Sequence, residues 1–114
     1  MLSRAEKIEW KQKIIAEVLS GGAAHEGWAW LIDLLQKRPY TGVRIRVRCL
    51  PMYGRDAYDA VFTGIGFSKA HWPDPWDASY GFELAIAKAA ADVVRQWDRA
   101  LDAIPAPMSY GVTD

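Results

Sequence analysis

The amino-acid sequence predicts an α+β domain: two N-terminal helices, a small antiparallel sheet of two to three strands, and a long C-terminal helix packed on that sheet. Three observations carry the prediction. Phe82, Ile86, Ala89, Val93, Trp97, Leu101 and Ile104 recur at steps of three and four, the stripe of a long amphipathic helix. Val43, Ile45, Val47 and Cys49 alternate strictly with Arg44, Arg46 and Arg48, the period-two pattern of a half-buried strand. Ser3-Arg4-Ala5-Glu6 has the spacing of a capping box, in which a hydroxyl and a carboxylate satisfy each other's free backbone donors at a helix start.

Taken in order, Ile8, Ile15, Val18 and Leu19 give the first helix its apolar side, and Gly21-Gly22 supply its stop. A second helix is expected from about Ala24 to Lys37, with Trp28, Leu31 and Leu35 on one face and Trp30 and Leu34 beside it. Pro39-Tyr40-Thr41-Gly42 ends it as a turn. The arginine strand follows. Leu50 to Ala57, with Pro51, Gly54 and Asp56, reads as a loop or hairpin connection with room for a further short strand. Tyr58 to Phe67 is the next strand, where Gly64 and Gly66 point to a bulge or a close backbone approach. Its pattern leaves open which face turns inward. Ser68 to Ser79 is a loop, and the long helix runs from there to Pro105 and Pro107. The expected domain spans residues 1–104, with 105–114 as an extended tail.

Composition bounds the class. With 51% hydrophobic and 25% charged residues, the 114-residue chain reads as one globular domain rather than a disordered or collagen-like one. The single cysteine, Cys49, excludes an internal disulfide and fits a reducing compartment. No apolar run approaches the ~20 residues that span a bilayer, and Met1 to Lys7 leads into a charged amphipathic segment rather than a signal-peptide core. A soluble cytoplasmic protein is the expectation. The 14 basic and 14 acidic side chains balance, but unevenly along the chain. Residues 36–55 carry Lys37, Arg38, Arg44, Arg46, Arg48 and Arg55 with no acid, whereas residues 56–86 set Asp56, Asp59, Asp74, Asp77 and Glu83 against Lys69. The total argues against strong non-specific nucleic-acid binding; the middle of the chain argues for a local basic face. The alternative is that the two segments neutralise each other as neighbours.

Gly66, Lys69, His71, Asp74, Trp76-Asp77, Gly81, Ala85 and Lys88-Ala89 lie at a spacing that resembles a pattern in small bacterial and phage domains of unknown function. Those domains are similar to the double-stranded-RNA-binding fold, a small antiparallel sheet backed by helices. The resemblance is confined to residues 66–89, with Ala70, Trp72 and Pro73 departing from the pattern. It implies a fold and a phage or mobile-element setting, and assigns no chemistry. Within it, Asp77 is placed to cap the last helix, and Gly81, Ala85 and Ala89 would let that helix sit close to the sheet.

The chain presents no catalytic constellation, so no enzymatic activity and no cofactor or metal is expected. Cys49 falls on the apolar phase of its strand and reads as a small buried hydrophobe. His71 with Asp74 and Asp77 is a weak metal pattern, His25-Glu26 reads as capping or solvated, and Gly64-Ile65-Gly66 lacks the rest of a phosphate loop. Two binding candidates remain. Arg44, Arg46 and Arg48 project from one side of a strand about 6.5–7 Å apart, and guanidinium groups grip phosphate or carboxylate bidentately. The competing reading is an edge strand guarded by charge, or arginines paired with Asp59 and other acids. Trp72 and Trp76, in a proline-bounded loop, are suited to anchor an interface, with Tyr53 and Tyr58 extending it; the competing reading folds them onto the end of the core.

The leading expectation is therefore a non-enzymatic phage or mobile-element protein that binds a protein or nucleoprotein partner through Arg44, Arg46, Arg48, Trp72, Trp76 and Tyr53. Inhibition of a host defence complex, of the anti-CRISPR type, is its concrete form. The alternative is a nucleic-acid-binding module contacting duplex backbone through Lys37, Arg38, Arg44, Arg46, Arg48 and Arg55. A third class is a self-associating subunit joined through an exposed strand edge.

Overall fold

The computed structural model describes residues 2–21, 27–48, 50–51, 61–70 and 78–103. Helix α1 spans Arg4–Leu19, strands β1, β2 and β3 span Ala29–Lys37, Tyr40–Arg48 and Val61–Lys69, and helix α2 spans Ala78–Ala103. The three strands form one antiparallel sheet in the order β1-β2-β3. Both helices lie on the same side of it. The fold is α+β, as the periodicities predict, with one N-terminal helix rather than two.

Helix α1 opens with the expected capping box: the Glu6 N–H donates to Ser3 Oγ at 3.1 Å, and the Ser3 N–H to Glu6 Oε1 at 3.0 Å. That hydrogen-bonded exchange holds the Glu6 carboxyl below its ordinary pKa. The helix closes at Gly21, whose φ of +65° is open to glycine at little cost. Its inward side differs from the expected stripe. Ile14 and Val18 are buried and Trp10 packs beside them, while Ile8 and Leu19 are exposed. Trp10 is the hub of an aromatic cluster, meeting Trp28 edge-on at 6.1 Å and Trp97 at 5.2 Å between ring centroids. Trp97, inside α2, satisfies its indole N–H on the Pro51 carbonyl at 2.9 Å.

The segment expected to be a helix from about Ala24 to Lys37 is instead strand β1 over Ala29–Lys37. Its pairing with β2 explains why the sequence misleads. Leu31 pairs with Ile45 but Asp33 pairs with Arg44, so Ile32 is an extra, unpaired residue. This bulge brings Leu31 and Leu34, three residues apart, to the same side of the sheet. A strand with one bulge thus carries the i, i+3 spacing of a helix. The hairpin that joins β1 to β2 turns at Arg38 and Pro39, so Tyr40, Thr41 and Gly42 already belong to β2.

In β2 the predicted alternation holds: Thr41, Val43, Ile45 and Val47 are buried, and Arg44 and Arg46 are exposed. Strand β3 is described over Val61–Lys69, so Ser68 and Lys69, expected in a loop, belong to it, and its glycines face inward; Tyr58 to Ala60 lie outside the described residues. A Cβ on Gly64 would collide with the Ala89 carbonyl oxygen and approach Val93 Cγ2 to 2.6 Å; one on Gly66 would collide with the Ala85 carbonyl and reach the Ala89 nitrogen at 2.5 Å. The glycines therefore mark a close approach of α2, not a bulge, and Ala85 and Ala89 are fully buried against them. Ile86, Val93, Trp97 and Leu101 complete the predicted stripe within the core. Across the top of this contact, Ser68 Oγ donates to the Gly81 carbonyl at 2.7 Å. Helix α1 is tied to α2 through Asp98, which accepts from the Leu2 N–H at 2.7 Å and faces Lys7 Nζ at 3.2 Å. Cys49, Ile104, Asp77 and the tail at 105–114 lie outside the described residues.

Candidate functional site

Because successive strand residues point to opposite sides, covering one side of the sheet with α1 and α2 leaves the other open. The register states what that side carries. Down β2 it holds Tyr40, Gly42, Arg44, Arg46 and Arg48. Strand β1 contributes Lys37, Leu35, Asp33 and Trp30 beside the first four of these, and β3 contributes Lys69, Phe67, Ile65, Thr63 and Val61 beside all five. Leu35, Tyr40, Val61, Ile65 and Phe67 are all exposed. So are Lys37, Arg44, Arg46 and Lys69, with Arg48 half-buried.

The electrostatics of this surface are one-sided. Among the described residues, five cations share it with one acid, Asp33. Asp33 forms an ion pair with Arg44, opposite it in register. Both side chains are about half exposed (49% and 57%), so the pair contributes at most about 1 kcal/mol and opens readily to a competing anion. The Arg48 guanidinium lies 5.4 Å from the centre of the Trp30 ring, and Lys69 Nζ lies 5.4 Å from that of Tyr40, both within cation–π range. Arg46, between Trp30 and Thr63, has no acidic partner among the described residues.

The edges of the sheet are treated differently from its face. On β3, the Ile65 N–H donates to Asp92 Oδ2 at 3.0 Å, and the Thr63 carbonyl accepts from Gln96 Nε2 at 2.8 Å. Two side chains of α2 thus occupy backbone groups that an incoming strand would need. Burial pushes the Asp92 carboxyl up, and the hydrogen bonds from Ile65 and Gln96 together with Arg95 outweigh it, leaving the group below its ordinary pKa. A cleft of about 270 Å³ lies between the end of α1, the start of β1 and Phe82. Its wall is largely apolar, and its carboxylate, Glu17, already accepts the Trp28 N–H at 3.3 Å.

Of the residues singled out from sequence, Arg44, Arg46, Arg48 and Lys37 come together on the open face, and Arg38 stands exposed in the turn beside it. Tyr53, Arg55, Trp72 and Trp76 lie outside the described residues, as do His25, His71, Asp74 and Asp59. Among the described residues there is no cluster of three metal-ligating side chains, and no helix is long and apolar enough to cross a membrane. Sequence reasoning missed Phe67, Ile65, Lys69, Tyr40 and Trp30. The signal for the first two was present in the phase of β3: if Gly64 and Gly66 face the helix, Ile65 and Phe67 must face away. Comparison with protein-family models, with curated proteins and with solved structures finds no match to this chain.

Proposed function

We propose that the chain is a non-enzymatic binding protein whose open sheet face takes the phosphate backbone of nucleic acid. The observation that supports this is the charge of the face: among the described residues it carries Lys37, Arg44, Arg46, Arg48 and Lys69 with one acid, Asp33. Arginines two residues apart on β2 are spaced about 6.5–7 Å, comparable with successive phosphates on one strand. The balanced total charge is no obstacle, because fields are screened within about 10 Å at 0.1 M salt and a ligand on this face meets the cations first.

The test is fluorescence anisotropy with labelled nucleic acid at several salt concentrations, on the wild type and on the Arg44→Ala/Arg46→Ala/Arg48→Ala variant. Three phosphate contacts give a log–log salt slope of about −2 to −3, and the variant should lose that binding. Its thermal unfolding should fall but stay cooperative: Arg46 is exposed with no acidic partner among the described residues, whereas the exposed Arg44–Asp33 pair contributes at most about 1 kcal/mol and the Arg48–Trp30 contact about 0.5–1 kcal/mol. No binding at low salt overturns the proposal.

A second reading keeps the same surface for a protein or nucleoprotein partner, such as a host defence complex inhibited by a mobile-element protein. It is favoured by the contiguous apolar side chains Leu35, Val61, Ile65 and Phe67, exposed on one face among arginines, a composition common at the centre of protein interfaces. It becomes the leading reading if nucleic acid fails to bind.

A further inference from the structure

On the open face, Phe67 stands directly opposite Gly42 in register. A Cβ at position 42 would lie 2.6 Å from Phe67 Cε1 and 2.8 Å from Cδ1, so the ring occupies the space a side chain there would take. Gly42 is buried beneath it, while Phe67 itself remains 57% exposed. Ring atoms Cε1 and Cδ1 thus lie over the glycine, and more than half of the residue's surface is left to solvent. Tyr40, 47% exposed, is the next outward residue on β2 and lies diagonal to Phe67, a relation that puts the two positions about 7–8 Å apart. Lys69 follows Phe67 along β3, and Arg44 follows Gly42 along β2. The arginine row then continues through Arg46 to Arg48.

From this arrangement we infer that the ligand of the face is single-stranded nucleic acid, with unpaired bases stacked on Phe67 and Tyr40 and the backbone running along Arg44, Arg46 and Arg48. The inference rests on the proposed nucleic-acid reading and narrows it. Filling the void over a strand glycine with an aromatic ring is a known way to stabilise a sheet, and it accounts for the ring over Gly42. It does not account for cations on both sides of the ring, nor for a second exposed ring one row away. A duplex keeps its base faces stacked on one another and has none to offer these rings. A single strand offers free π-faces together with its phosphates, and this face offers two rings at one end of a row of arginines. A second copy of the chain is a poor occupant, because two faces with this excess of positive charge repel each other.

The test uses labelled oligothymidylate and oligouridylate of about a dozen nucleotides and a DNA duplex of the same length. The variants are Phe67→Leu, which keeps an apolar cover over Gly42 but has no π-face, Tyr40→Leu, and Arg46→Ala. Wild type should bind at least one single strand about tenfold more tightly than the duplex. Phe67→Leu should lose about tenfold of that affinity with its salt slope unchanged, as loss of one stacking contact requires. Arg46→Ala should reduce the slope by about 0.7. A preference for thymidylate or for uridylate assigns DNA or RNA. Should Phe67→Leu prove less well folded, Tyr40→Leu reads the same contact from the neighbouring ring. Duplex binding as tight as single-strand binding, or unchanged affinity in both leucine variants, overturns this inference while leaving a salt-dependent backbone interface standing. Absence of binding to all three probes at low salt overturns both.

Discussion

Replacing Gly66 by alanine puts a methyl group where α2 already is. The new Cβ would lie 2.5 Å from the Ala89 nitrogen and closer still to the Ala85 carbonyl oxygen, and both are helix backbone that no rotamer change can move aside. Restoring a contact of about 3.5 Å requires α2 to retreat from β3 by at least about 1 Å at this point. A gap of that size forfeits a quarter to a half of the dispersion energy of each affected contact, and the contacts affected include fully buried Ala85, Ile86, Ala89 and Val93. Overpacking of a tight core costs 1–3 kcal/mol and sometimes more; with backbone on the far side, about 3 kcal/mol is expected for Gly66→Ala. For a domain of this size that lowers the melting temperature by roughly 10–15 °C. Thermal unfolding followed by circular dichroism reads it directly. A Gly66→Ala variant melting within about 2 °C of wild type would refute the claim that glycine is there to admit the helix.

Gly42→Ala is the contrasting case. The atoms nearest its Cβ belong to the Phe67 ring, an exposed side chain that can swing away, so stability should change by less than about 1 kcal/mol, with the alanine's lower backbone entropy offsetting part of the strain. Single-strand affinity should fall because the ring no longer lies on the sheet. The acid limb of stability should depend on Asp98. The Leu2 N–H and Lys7 hold its carboxyl below the ordinary value, so its contribution is complete above the unfolded pKa of about 4 and fades as the pH falls through the lower folded value. Asp98→Asn should therefore be less stable than wild type near neutrality, and the difference should shrink as the pH falls below about 4, as urea midpoints across that range will report.

The elements legible in the sequence are those whose pattern one interaction dictates. The α2 stripe is read because a helix on a sheet needs apolar residues every three or four positions, and β2 because one side of it faces the core and the other faces water. Strand β1 is misread because the bulge at Ile32 shifts its phase midway, and its far end passes beyond the cover of the helices, leaving Leu34 exposed on the helix side while Leu35 faces the open side. In α1, Trp10, Ile14 and Val18 share the inward side with i, i+4, i+8 spacing, but Ile8, Ile15 and Leu19 compete for the same assignment. Only the third dimension chooses between them. The arginine half of the candidate site was visible as an alternation. Its aromatic half was not, because Phe67 and Tyr40 come from two strands, and no local pattern states that a glycine on one makes room for a ring on the other.

How a ligand reaches this sheet follows from what the fold does to its boundaries. An extended partner could pair with a free edge, or it could lie across the open face. On β3 the edge is engaged by Asp92 and Gln96 from α2, which hold the Ile65 N–H and the Thr63 carbonyl. On β1 the edge is broken by the bulge at Ile32, which interrupts the regular run of outward N–H and carbonyl groups. Both devices discourage strand addition, and with it the self-associating assembly that an exposed edge would permit. Neither touches the face. There, between two defended edges, the fold leaves exposed rings and arginines with a single acid among the described residues. A surface shaped only to avoid aggregation would be served by scattered lysine and glutamate, whereas this one gathers apolar area and positive charge where any anionic ligand can reach both at once.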